Sequence, residues 1–151
     1  MPQSLANLLV HLVFSTKDRR VLMHNHDLRD EMHRYLAGVS ARLDCPAVTV
    51  GGTEDHVHLL GRQSRSVTLA DWVKELKRVS SLWAKTRDPQ WSVFQWQAGY
   101  GAFSVSQSQS SRVQRYIASQ EERHRRLSFQ DELRRLLKKH GVEFDEQYIW
   151  D

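Results

Sequence analysis

The sequence predicts an α+β domain in which an antiparallel sheet carries two helices on one face and further helices follow. Three observations predict it. Short apolar runs at 8–14, 47–50 and 56–60 have the length and β-branched content of strands, and two longer segments between and after them have helical spacing. Gly51-Gly52 separates the second and third runs closely enough to make them a hairpin. The resulting order of strand, helix, strand, strand, helix, strand is that of the ferredoxin-like βαββαβ unit, in which strands one and three form the central pair.

Each element has its own reason. In the first strand Leu8, Val10, Leu12 and Phe14 share one face, while Leu9, His11 and Val13 share the other. His11 is either a hydrogen-bonded histidine on a half-buried strand or a neighbour of whatever occupies that face. The polar stretch after it, with Lys17, Arg19 and Arg20, is a solvated turn or a grip for phosphates. Asp27 can cap a helix running to about Leu43, with Leu28, Met32, Tyr35, Leu36, Val39 and Leu43 along its buried stripe. Cys45-Pro46 ends that helix region, 47–50 forms the second strand, and Gly51-Gly52 turns the chain into the third. Thr68 and Asp71 are spaced like a capping box at the start of a second helix to about Lys85. Its stripe is Leu69, Trp72, Val73, Leu76, Val79 and Trp83, and Lys74, Lys77 and Arg78 decorate other faces.

Asp88-Pro89 stops the second helix, and 94–97 and 100–105 read as short strands around Ala98-Gly99. The Ser- and Gln-rich stretch 104–111 is a candidate hinge. A third helix over about 111–122 carries Val113, Tyr116, Ile117 and Gln120 on one stripe, and the cations Arg123, Arg125 and Arg126 follow it. Ser128 and Asp131 cap a fourth helix that runs through His140 to a stop at Gly141. The tail retains Phe144, Ile149 and Trp150 and should dock onto the body. One domain over 1–151 is expected, with a ferredoxin-like core over about 1–106 and the tyrosine helix and helical tail over 107–151.

Composition narrows the function. With 40% hydrophobic and 26% charged residues the chain is ordinary globular protein, which excludes disorder. A net charge of +4 suits a polyanionic partner without demanding one. The single Cys45 excludes an internal disulfide framework and a multi-cysteine zinc cluster. No run reaches the length of a membrane span and no signal peptide opens the chain, so a soluble cytoplasmic protein without a membrane partner is expected.

The chemistry centres on Asp55-His56-Val57-His58-Leu59-Leu60. On a strand His56 and His58 project side by side on the face away from the two helices, while Val57 and Leu59 enter the core. Paired imidazoles on a rigid strand are half a metal site. Tyr116 and Gln120, one helical turn apart, share a face. That pairing is ordinary packing and hydrogen bonding, or else Gln120 offers a third ligand oxygen to a divalent cation with Tyr116 within reach of what the cation holds.

His56-Val57-His58 resembles the HUH motif of single-strand DNA endonucleases. With Val113-x-x-Tyr116-Ile117-x-x-Gln120 downstream, the chain resembles the single-tyrosine HUH transposases of insertion sequences and their relatives, the REP-associated tyrosine transposases. Ser15-Thr16-Lys17, Leu76-Lys77-x-x-Ser80-Ser81, Gly99-Tyr100 and His140-Gly141-Val142 extend the likeness over nearly the whole chain. The resemblance implies a divalent metal, Mg²⁺ or Mn²⁺, held by His56, His58 and Gln120, and Tyr116 as the nucleophile that cleaves and rejoins single-stranded DNA through a 5′-phosphotyrosine. It implies a homodimer in which the tyrosine helix is able to serve the partner's histidines, with placement in cis or in trans left open, and substrates with hairpin ends. Lys17, Arg19, Arg20, Lys74, Lys77, Arg78, Arg123, Arg125 and Arg126 are DNA contacts by charge alone, and His11 stands beside the metal pair.

Rival readings remain open. A domesticated REP-associated endonuclease would process DNA hairpins with the same residues. A non-catalytic ferredoxin-like nucleic-acid module would need no nucleophile, although RNA-recognition sheets display aromatics where this one displays histidines. A metallohydrolase using a metal-bound water would not need Tyr116. Tyr100 and Tyr148 are weaker nucleophile candidates, because neither has a glutamine one helical turn on. A histidine-triad hydrolase is excluded by Leu60, which stands where that motif needs a third histidine.

Overall fold

The structure, a computed structural model, describes residues 2–150. Four strands, β1 (Leu9–Ser15), β2 (Ala47–Gly52), β3 (His56–Arg62) and β4 (Gly101–Val105), form one sheet in the order β2-β3-β1-β4, every neighbouring pair antiparallel. With α1 (His26–Arg42) between β1 and β2 and α2 (Leu69–Arg87) between β3 and β4, this is the predicted ferredoxin-like order. Among the described residues no helix is long and apolar enough to cross a membrane.

The alternation read from the strands decides which side chains meet which helices. Leu12, Phe14, Val57 and Leu59 are buried with Met32, Leu36, Trp72 and Leu76 in the core under α1 and α2. Two buried indoles there find acceptors: Trp72 Nε1 donates to Ser40 Oγ at 2.9 Å and Trp96 Nε1 to Ser80 Oγ at 2.9 Å. Thr68 caps α2 as predicted, its hydroxyl accepting from Asp71 N at 3.1 Å. The cap of α1 is Asn25 rather than Asp27, because the extended backbone at Asn25 lets its side chain accept from Leu28 N. Asp27 instead becomes an acidic first-turn residue, where it favours the helix dipole.

The face carrying the histidines is not clear of helices. α3 (Ser110–Ala118), α4 (Gln120–Arg123) and α5 (Phe129–Lys139) cover it, so the sheet is buried on both sides. Val13 and Phe103 pack there against Phe129, Leu133, Leu136 and Leu137, with tail residues Phe144, Ile149 and Trp150 docked on the same cluster. Leu9, Leu60 and Ile117 form a smaller one.

Three local expectations change. Gly51 and Gly52 are not the turn but the last residues of β2, paired with His58 and Val57. Close approach explains both. A Cβ on Gly51 would lie 2.7 Å from Ile117 O, so α3 rests directly on the strand, and Gly52, at φ +155°, would bring a Cβ within 2.2 Å of His56 O. The 94–97 stretch forms no strand beyond a single bridge from Trp96 to Thr16, since β4 already occupies the edge of β1 over Leu9–Val13. The tyrosine helix does not run unbroken to 122. It ends at Ala118, and Ser119, at φ −98° and ψ 17°, redirects the chain into the short α4.

Candidate metal and tyrosine site

β3 delivers His56 and His58 fully buried, and β1 brings His11 beside them. His11 Nε2 lies 2.8 Å from His58 Nδ1. The turn before β3 supplies the corresponding partners for the other ring: Asp55 Oδ1 is 2.7 Å and Thr53 Oγ1 3.0 Å from His56 Nδ1. Both Nδ1 atoms are therefore engaged, which fixes the rings and aims both Nε2 atoms at the helices above. This is the orientation that outer partners commonly impose on metal-binding histidines.

The covering segment meets those nitrogens with two side chains, Gln120 and Glu132, and Glu132 gathers His124 and Tyr116 around it. Gln120 Oε1 is 3.1 Å from His56 Nε2. Glu132 Oε1 lies 3.0 Å from His58 Nε2, 3.4 Å from His56 Nε2 and 2.9 Å from His124 Nε2. The second oxygen of Glu132 accepts from the Tyr116 hydroxyl, and from Gln120 Nε2 at 2.9 Å. Arg123 lies over the Tyr116 ring, 4.3 Å from its centroid. Tyr116 and Gln120 thus converge despite the helix break at Ser119.

Electrostatics follow from this packing. Burial alone would lower the pKa of His56, but Asp55 and Glu132 outweigh it and raise it to about 9. His58, buried and only partly compensated by Glu132, falls to about 4. Burial, reinforced by the neighbouring His58, takes His11 well below the ordinary histidine value. Burial would raise the Glu132 carboxyl, yet hydrogen bonds from His124, His56 and His58 hold it far below the usual range, so it is ionised. Burial and that same carboxylate push the Tyr116 hydroxyl above the ordinary phenol value, so it is held as a neutral phenol.

The donor chemistry fits a divalent cation. His56, His58, His124 and Glu132 each offer a ligand atom, all within 4.8 Å of one another, and the Gln120 amide oxygen stands alongside. Three imidazoles, a carboxylate and an amide suit a divalent ion.

The predicted cations divide. Lys77 is tied down, donating from Nζ to the carbonyls of Gln97 at 2.7 Å, Ala98 at 3.2 Å and Gly99 at 2.8 Å, and burial lowers its pKa to about 8. Arg78 forms a two-pronged pair with Glu75 on an exposed helix face, and Lys74 is exposed on the same helix. Arg19 and Arg125 line a polar cleft of about 520 Å³ that also contains Asp55 and His124, next to the histidines. Arg123, Arg125 and Arg126 line a second cleft with Arg135. Lys17 and Arg20 are exposed on the short helical turn after β1.

Sequence reasoning missed two members of the site. His124 was hidden within a basic run. Glu132 left a readable signal, since it lies on the apolar face of α5 with Phe129, Leu133 and Leu136, and a carboxylate there needs buried partners.

In sequence and in fold the chain is similar to known transposases. The family model described as "Transposase IS200 like" matches residues 4–120. The chain is 25% identical over 118 residues to the ISDra2 transposase TnpA of Deinococcus radiodurans, covering 75% of this chain and 84% of that one. A crystal structure of a Deinococcus radiodurans protein assigned as a transposase superposes with TM-score 0.61 at 24% identity, over 80% of this chain and 95% of that one. The structure of a REP-associated tyrosine transposase bound to a REP hairpin gives TM-score 0.59 at 11% identity, over 82% and 72% of the two chains.

Proposed function

The chain belongs to the IS200-like transposase family, and on that premise we propose that it cleaves and rejoins single-stranded DNA with Tyr116 as nucleophile beside a cation held by His56, His58 and Gln120. The observation that carries this reading is the meeting of the Tyr116 hydroxyl with the carboxylate that the histidines surround. A divalent cation bound there, Mg²⁺ or Mn²⁺ by the resemblance, would supply Lewis-acid polarisation of the scissile phosphate. The chain's own residues do the rest. Asp55 and His11 keep His56 and His58 aimed, and Arg123 lies against the phenol to favour its anionic form and the phosphate. As Tyr116 Oη bonds to phosphorus the bond to the 3′ oxygen breaks, leaving a 5′-phosphotyrosine and a free 3′-OH. A later attack by another 3′-OH restores the phosphodiester and frees the tyrosine.

The Tyr116 hydroxyl meets Glu132 of its own chain, which supports a tyrosine acting in cis. The homodimer implied by the resemblance then needs no exchange of the tyrosine helix. Hairpin-bearing DNA is the proposed partner, in keeping with the hairpin-bound relative of like fold, and a cytoplasmic location is proposed with it. Arg19, Arg123, Arg125 and Arg126 are the proposed phosphate contacts nearest the site.

Incubation with a divalent cation and hairpin-bearing single-stranded oligonucleotides, followed by denaturing electrophoresis, tests the reading. A covalent protein–DNA adduct that disappears in Tyr116→Phe is the expected outcome. An adduct that persists in that variant removes Tyr116 from its role, and full cleavage by His56→Ala and His58→Ala removes the cation centre.

A further inference from the structure

His124 and Glu132 lie beyond residues 4–120, the part of the chain that matches the family model, yet they point into the centre of the site. We propose that His124 and Glu132 are ligands of the same cation as His56 and His58, giving a site of three imidazoles and one carboxylate that selects a borderline ion such as Zn²⁺ over Mg²⁺. The proposal rests on the reading that the histidine pair holds a cation.

Spacing is the first support. Donors around a tetrahedral ion with bonds of about 2.0–2.1 Å stand about 3.3 Å apart. Glu132 Oε1 lies 2.9, 3.0 and 3.4 Å from the three Nε2 atoms and all four donors lie within 4.8 Å of one another, so drawing the nitrogens together brings the four donors to such a centre. Orientation is the second. The Nδ1 atoms of His56 and His58 already face Asp55 and His11, which leaves each Nε2 to serve as the donor. Burial is the third. Glu132 is 1% exposed on an otherwise apolar helix face, a position that costs several kcal/mol for an unpartnered carboxylate. Hydrogen bonds among the four side chains are one way to satisfy it. A cation held by Glu132 Oε1 and the three Nε2 atoms would satisfy it equally, taking the place of the proton that His56 shares between the two carboxylates.

Donor type decides the ion. Imidazole nitrogen suits zinc and the later transition ions, whereas Mg²⁺ prefers oxygen ligands and retained water in an octahedron. Because Glu132 also holds the Tyr116 hydroxyl through its second oxygen, the carboxylate links the cation directly to the nucleophile.

The test is equilibrium binding on the full chain, with no DNA present. Calorimetric titration with Zn²⁺, Mn²⁺ and Mg²⁺, and visible absorption on titration with Co²⁺, are compared for the wild type, His124→Asn, Glu132→Gln and His56→Ala, with circular dichroism melts as the check on folding. Expected are tighter binding of Zn²⁺ than Mg²⁺, the intense visible bands of tetrahedral Co²⁺, and a loss of at least about tenfold in Zn²⁺ affinity in both His124→Asn and Glu132→Gln. Faint octahedral Co²⁺ absorption in the wild type overturns the proposal. So does unchanged Zn²⁺ affinity in the two variants when His56→Ala abolishes binding, and the cation then rests on His56, His58 and Gln120 with the proposed function intact. Unchanged binding in His56→Ala as well overturns both readings of the cation. Should Glu132→Gln fail to fold, His124→Asn at the partly exposed position decides by the same criteria.

Discussion

Lys77 illustrates how a charge can mislead. Its ammonium group closes the loop after Trp96 by donating to three successive carbonyls, a task that leaves it no proton for a phosphate. Lys77→Met is therefore expected to destabilise the fold by about 1–3 kcal/mol in urea unfolding, while leaving the salt dependence of DNA binding unchanged. Arg126→Ala should behave in the opposite way, with native stability and a slope of log K against log salt shallower by about 0.7. Composition could not separate the two, because their difference lies in which backbone carbonyls fold back to meet the side chain. His33 makes a second residue-level point. Its Nε2 is buried without a hydrogen-bond partner, and burial lowers its pKa to about 4. Above its ordinary value of 6.5 both folded and unfolded chains hold it neutral, and it contributes nothing to pH dependence. Between pH 6.5 and 4 only the unfolded chain takes up the proton, so stability falls as the pH falls, by up to about 3 kcal/mol. In His33→Gln, chemical denaturation at a series of pH values should show a shallower decline across that window; an unchanged decline removes His33 as its source.

At the level of elements, strands and capped helices were legible because their patterns are local. The period of β1 and β3 sorted His11, His56 and His58 onto one face, and the Thr68 and Ser128 caps lie where the spacing put them. Failures came where a partner distant in sequence decides. The apolar alternation of 94–97 was genuine, with Phe94 and Trp96 buried and Gln95 exposed, but β4 pairs with β1 over Leu9–Val13 and leaves it only the end of that edge, at Ser15–Lys17. Gly51 looked like a turn residue because its reason, the backbone of α3, is more than sixty residues away. That contact predicts the effect of Gly51→Ala: the added methyl meets Ile117 O, α3 lifts, and Tyr116 moves with it. A stability loss of about 1–3 kcal/mol and a fall in cleavage of more than about tenfold are expected, with DNA affinity changed far less. Unfolding, cleavage and binding assays on the one variant separate these outcomes, and wild-type cleavage would show that α3 need not rest on Gly51.

For the molecule as a whole, the sheet serves two cores. The buried side chains of the one beneath α1 and α2 all precede Gln97, with Ala102 of β4 packed against them, whereas the one above needs Phe129, Leu133, Leu136, Leu137 and the tail. Trp150 is held in that tail between Arg19, 5.6 Å from its ring centroid, and Arg134 at 5.1 Å. Removal of residues 142–151 should expose the upper core, lower the melting temperature and increase binding of a hydrophobic dye, while far-ultraviolet circular dichroism keeps the signature of the sheet and its first two helices. An unaltered melt would mean that the tail contributes no net stability. The order of the site's parts along the chain has a consequence in time. His56 and His58 are made first, Tyr116 and Gln120 later, and His124 and Glu132 last of these six. A chain growing from its N-terminus folds its first core before the covering helices exist. A partly synthesised chain that stops short of Tyr116 therefore holds the strand histidines without the phenol, and the proposed cleavage of DNA would await synthesis of the covering helices.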